Sequence, residues 1–207
     1  MKTVDIGKYN KMAAFGLIIL LLASSNSTGS DFLSQNQSSL LFPIIGLILL
    51  SVAMYKYSKI FKNSHIIKNY LIAIGLSFTY GFFSALWLAT MIASGYNTPK
   101  NLTNLIISIS LIGMYISSIA SLFFIKNTLL ELYKHLKHKL LKITAWIYFG
   151  AGVTLINLLG IQMIFIHSNS DIEENPLVRL IILVTIIASI LLVIAFFKAP
   201  NLVEIPE

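Results

Sequence analysis

Residues 129–142 read LLELYKHLKHKLLK. Apolar side chains recur at Leu129, Leu132, Tyr133, Leu136 and Leu140, one face of a helix. Lys134, His135, Lys137, His138, Lys139 and Lys142 occupy the rest. Alone, the pattern suits a nucleic-acid contact, a metal site or the water-side end of a membrane helix. Its neighbours decide between them. The runs 102–125 and 143–166 on either side contain no Asp, Glu, Lys, Arg or His, and about 20 such residues cross the ~30 Å hydrocarbon core of a bilayer. The stretch is therefore the water-side link between two membrane spans. Its helix either lies among the headgroups or prolongs the preceding span, with its lysines reaching toward water.

The whole chain agrees. Of 207 residues, 57% are hydrophobic and 11% charged, whereas a soluble domain carries about 25% charged residues. That is too little charge to clothe a water-facing surface, so lipid is the solvent for most of it. There is no cysteine, which excludes disulfides, thiolate metal sites and thiol catalysis.

Five segments have the length and apolarity of spans: Leu40–Tyr57, Tyr70–Tyr96, Leu102–Ile125, Ile143–Ile166 and Leu177–Phe197. Pro99 and Pro176 stand at helix boundaries, and Pro43 falls in the first turn of its span. Residues 1–25 hold a shorter apolar run, Met12–Ser25, after Lys2, Lys8 and Lys11. Two readings stand: a short first transmembrane helix or a signal peptide. Residues 26–39 then form an extracytoplasmic loop, 40–197 a transmembrane helical bundle, and 198–207 a cytoplasmic tail. The fold class is all-α, a polytopic bundle of six spans, or five if the first segment is cleaved.

Lysine and arginine in short loops set orientation. With six spans, 13 of the 15 basic residues fall on one side, leaving Lys100 and Arg179 opposite, with Asp31, Asp171, Glu173 and Glu174. This places the protein in the cell membrane with both termini cytoplasmic. The N-x-S/T acceptors Asn26, Asn36 and Asn101 all fall in the outer loops, where glycosylation would occur.

Chemistry is limited by what the spans lack. Proton relays and ion-coupled carriers need ionisable groups at depth, and hydrolysis needs a nucleophile with a base. His65, His135, His138 and His167 all lie at span ends or in loops, and His135 with His138 has no third ligand nearby for a metal. No catalysis, cofactor, metal or nucleic-acid partner is expected. What remains polar is small or neutral. Ser110, Gly113, Ser117 and Ser121 recur at helical spacing, as do Gly150, Thr154 and Asn157, suiting close helix packing. Tyr80, Thr90, Asn157 and Gln162 are candidates for a polar solute path. Lys134, Lys137, Lys139 and Lys142 suit anionic lipid or an acidic partner. Trp146 and Tyr148, near one span end, fit interface anchors.

From Tyr55 to Gly75, YKYSKIFKNSHIIKNYLIAIG, the chain resembles a family of small archaeal multispan membrane proteins of unknown function, DUF996. The similar features are the Gly-, Leu- and Ile-rich span IIGLILLSVAMYKYSK, the segment Ile60–Asn63, and the immediate return into a second Gly-containing span. The resemblance extends from about Leu40 to Phe197. It implies a compact helical bundle and assigns no activity.

The reading that follows is a non-catalytic membrane protein, an accessory or scaffold subunit contacting lipid and other integral membrane subunits. The alternative is a facilitative transporter or pore for a small neutral or lipophilic solute. Because the chain lacks cysteine, single-cysteine variants test its threading directly. Ser64→Cys and Lys137→Cys are expected to react with an impermeant maleimide from the same side of sealed membranes, and Asn101→Cys only from the other.

Overall fold

The computed structural model describes residues 2–25, 38–93, 100–165 and 176–205. Within them the chain forms six helices: α1 (Gly7–Ser25), α2 (Ser38–Ile60), α3 (Ser64–Ala93), α4 (Lys100–Leu136), α5 (Lys139–Phe165) and α6 (Pro176–Lys198). Short strands flank them, β1 (Lys2–Asp5) and β2 (Leu202–Ile205). Helices α2 to α6 are long and apolar enough to cross a membrane, and the fold is an all-α polytopic bundle. Helix α1 has 19 residues, about 28 Å at 1.5 Å per residue, and carries Lys8 and Lys11 near its start.

Each helix packs on its sequence neighbours, and α6 closes on α1, so the six form a ring. The α3–α4 pair is the most extensive contact; α2 meets α3 over much less of their length. The turns 61–63 and 137–138 share one end of the ring with the terminal strands, which pair antiparallel with Lys2 opposite Ile205 and Asp5 opposite Leu202. Most of the buried apolar core lies toward this lysine-rich end, including Ile6, Tyr57, Phe61, Leu132, Leu136 and Phe196.

The opening stretch is not a separate surface helix. It prolongs α4, whose 37 residues rise about 55 Å against a ~30 Å hydrocarbon core. Leu129, Leu132 and Leu136 are buried, while Lys134 is 64% exposed and pairs with Glu131 at 2.6 Å. The helix stops at Lys137, which has φ 51°. A left-handed residue at this place turns the chain and closes the last carbonyls; here the Lys137 N–H donates to the Tyr133 carbonyl at 2.8 Å. Lys62 ends α2 with the same φ of 51°, and the following Asn63 N–H donates to the Ser58 carbonyl at 3.0 Å.

These two turns belong to a repeated hairpin. Ala53, Met54, Tyr57, Phe61, Ile66 and Tyr70 are buried around Lys62, and Thr128, Leu129, Leu132, Leu136, Leu141 and Ala145 are buried at the same offsets around Lys137. The pair α2–α3 thus repeats as α4–α5. Helices α6 and α1 complete the set, joined at the same end by the strand ribbon rather than by a turn.

Helix α1 is bound into the ring by polar contacts as well as packing. The fully buried Asn10 donates from Nδ2 to the carbonyls of Ala199 (3.3 Å) and Pro200 (3.2 Å), and its Oδ1 accepts from the Tyr57 hydroxyl at 2.6 Å. The Asp5 carboxylate caps the helix by accepting from the Gly7 N–H at 2.8 Å. Helix α2 begins at Ser38, so Pro43 stands one turn inside it rather than in its first turn.

Two small-residue contacts set how closely the helices approach. Gly16 and Gly46 face one another across α1 and α2: a Cβ on either would stand 2.8–2.9 Å from the other's carbonyl oxygen. Across α3 and α4, Ser110, Ser117 and Ser121 are buried, and a Cβ on Gly113 would strike the Phe83 ring. Gly75 and Gly150 have nothing within 4 Å of that position. Gly46→Ala is therefore expected to lower stability by about 1–3 kcal/mol through overpacking. Gly75→Ala, which meets only open space, is expected to be neutral or to gain up to about 1 kcal/mol of helix propensity. Thermal unfolding of the detergent-solubilised variants separates the two.

Candidate functional site

The centre of the ring is not filled by side chains. A cavity of about 550 Å³ runs between the helices, and all six contribute to its wall. Leu17 and Leu20 of α1, Leu50 and Met54 of α2, and Leu129 of α4 make it predominantly apolar. A second cavity of about 310 Å³ lies between α3, α4, α5 and α6. Both share Ser77, Ile125, Tyr148 and Thr185, so they meet at this level of the ring. Among the described residues no charged side chain lines either one.

The first cavity reaches Phe196, the first ring of a stack that crosses the lysine-rich end of the bundle. Phe196 of α6 lies 6.3 Å from the Tyr57 ring of α2, Tyr57 lies 6.0 Å from Phe61, and Phe61 lies 4.5 Å from the His135 imidazole of α4. At the far end of the stack, Asn63 Nδ2 donates to Glu131 Oε2 at 3.0 Å and stands 3.2 Å from His135 Nε2. Four nearly parallel rings and a carboxamide clamp thus form a floor that ties α6, α2 and α4 together.

The wall hydroxyls are mostly committed to their own helices. Thr128 donates to the Phe124 carbonyl, Thr185 to Ile181 and Ser189 to Thr185, each at 2.9 Å. Ser77 and Ser121 both donate to the Ala73 carbonyl at 3.0 Å, a contact that also joins α3 to α4. Ser118 donates to Met114 at 2.7 Å, and the Tyr70 hydroxyl is 3.3 Å from Ser51 Oγ of α2. A hydroxyl has one proton, and in a helix the i−4 carbonyl takes it. Such groups turn lone pairs, not donors, toward the cavity.

The residues singled out in the sequence fall in several places. Tyr80 lines the smaller cavity. Asn157 is not on either wall: its Oδ1 accepts from the Tyr115 hydroxyl of α4 at 2.7 Å, and its Nδ2 donates to Val153 at 2.8 Å. Thr90 donates to its own helix at Leu86. The side chain of Gln162, and Asn26 and Asn36 altogether, lie outside the described residues; Asn101 is exposed near the start of α4. Gly150 and Thr154 share an open face of α5, with Thr154 donating to Gly150 at 2.8 Å. Trp146 is exposed, whereas Tyr148 is turned inward onto both cavities. Lys134, Lys137, Lys139 and Lys142 cluster at the turn end, Lys142 lying 5.7 Å from the Tyr133 ring. Among the described residues no group of three or more metal-ligating side chains forms.

Sequence reasoning missed the cavity-lining set, and one signal for it was present. Thr185 and Ser189, four residues apart in the very apolar α6, share a helix face. Lys126 was also more than a loop charge. It is 8% exposed, and its Nζ lies 4.5–4.6 Å from the ring centroids of Phe123, Trp146 and Phe149, a cation–π box.

No curated protein and no solved structure matches the chain significantly. One family model does, described as a protein of unknown function (DUF996), and it covers residues 42–168, from α2 through α5 and beyond its end. That range holds both copies of the repeated hairpin and stops short of α6. Matched over more than half its length, the chain belongs to the DUF996 family.

Proposed function

We propose that this is a non-catalytic membrane protein that takes a small, neutral, largely apolar molecule into the chamber at the centre of its helix ring, as a facilitative carrier does. The observation behind this reading is the cavity walled by all six helices. Its volume of about 550 Å³ falls in the usual range for ligand pockets, roughly 300–1,000 Å³. Apolar walls without charge favour an uncharged lipophile as the occupant. In this reading α1 is retained as a sixth span, since Asn10 closes the floor. The lysine-rich end faces the cytoplasm, following the positive-inside rule.

The scaffold reading makes a different demand, and one experiment separates them. Native mass spectrometry of the gently solubilised protein is expected to show a small non-covalent adduct. Ser189→Trp and Thr128→Phe, which fill the chamber, are expected to abolish it. Ile187→Trp, placed on an exposed face of the same helix as Ser189, is expected to leave it unchanged. Absence of an adduct, together with stoichiometric membrane subunits in the same spectra, would favour the scaffold.

A further inference from the structure

The hydroxyls of the chamber are not equivalent, and the difference bears on what occupies it, resting on the reading just given. Thr128, Thr185, Ser189, Ser77 and Ser121 each have their proton committed to a helix carbonyl; the Tyr70 hydroxyl is paired with Ser51 Oγ at 3.3 Å, whose own proton goes to the Leu47 carbonyl at 2.7 Å. Tyr148 is different. Its hydroxyl has no hydrogen-bond partner among the described residues, and the side chain lines both cavities at the level where they meet. Tyr80, a third phenol on these walls, touches only the smaller cavity and is 44% exposed. In the larger chamber, Tyr148 carries the one wall hydroxyl without a hydrogen-bond partner among the described residues, surrounded by apolar groups and acceptor lone pairs.

An unpaired phenol donor in an apolar site costs free energy that an acceptor on a ligand recovers. We propose that the chamber selects a neutral lipophile bearing a carbonyl-type hydrogen-bond acceptor, which the Tyr148 hydroxyl holds at the junction of the two cavities. The apolar body of such a molecule occupies the larger cavity, against Leu20, Leu50 and Met54. Anions gain nothing here, because no cation lines the wall among the described residues. Donor-only ligands would leave Tyr148 unpaired.

Benzophenone and diphenylmethane test this, since they share a shape and differ in having a carbonyl or a methylene at the centre. Binding of each is measured to the full-length protein in nanodiscs, by displacement of the neutral fluorophore N-phenyl-1-naphthylamine. The wild type is expected to prefer benzophenone, and Tyr148→Phe to reduce that preference by about 2- to 10-fold, the worth of one net hydrogen bond. Diphenylmethane should bind the variant as it binds the wild type, which also certifies the variant's fold. Thr185→Val, which removes a lone-pair acceptor and no free donor, should preserve the preference. Irradiating bound benzophenone should place its crosslinks on chamber residues such as Met54. If both probes bind in the chamber and Tyr148→Phe leaves their ratio unchanged, the assignment of Tyr148 is overturned while the chamber reading stands. If neither probe binds, or crosslinks fall only on lipid-facing residues, both are overturned.

Discussion

One tyrosine holds the lysine-rich end of this bundle together. The Tyr57 ring lies between Phe196 of α6 and Phe61, while its hydroxyl donates to Asn10 of α1. Within lipid, apolar burial gives little drive for helices to associate, because lipid tails are as apolar as leucine. Stacking geometry and buried hydrogen bonds must then decide which helices meet. Tyr57 supplies both at one point, and Asn10 extends the connection to the carbonyls of Ala199 and Pro200. With that end closed, the ring can enclose a chamber above it without coming apart.

The architecture has a division of labour along its axis. Near the turns, large rings and leucines fill the space between helices, and Leu132, Leu141 and Phe196 are fully buried. Toward the middle, smaller or hydroxylic residues replace them: Ala73, Ser77, Thr128, Thr185 and Ser189. The cavity follows from this change in side-chain volume, not from any irregularity in the helices. Close α1–α2 contact through Gly16 and Gly46, and α3–α4 contact through Ser121 and Ala73, keep the walls firm while the centre stays open.

The sequence was explicit about the elements and silent about the axis. Charge-free apolar runs mark α2 to α6 because hydrocarbon imposes that composition over about 20 residues. The stretch around Leu129–Leu136 declared its buried face through its spacing. The repeat was legible too: Lys59-Ile60-Phe61-Lys62 and Lys134-His135-Leu136-Lys137 stand in the same register around their turns. The chamber was hidden, since a threonine facing a cavity and one facing lipid look alike when both donate to their own i−4 carbonyl. Asn157 was a candidate for helix packing as well as for a solute path, and it lies in a contact between α4 and α5. Its amide marks a costly group that needs a partner, and Tyr115 on the adjacent helix satisfies it away from the axis. The terminal ribbon escaped notice because four-residue strands flanking long helices carry almost no periodic signal of their own.

The pairing of β1 with β2 has a topological consequence. Helices α6 and α1 meet at the same end as the two turns, so the ribbon does for them what Lys62 and Lys137 do for the other hairpins. The ring is then three comparable units arranged in a circle, and the order in which the polypeptide visits them is a matter of where the circle is cut. A circularly permuted gene, with β2 fused to β1 and new ends opened at one of the lysine turns, would encode the same closed arrangement. Such folds can arise by tandem copying of a single helical hairpin.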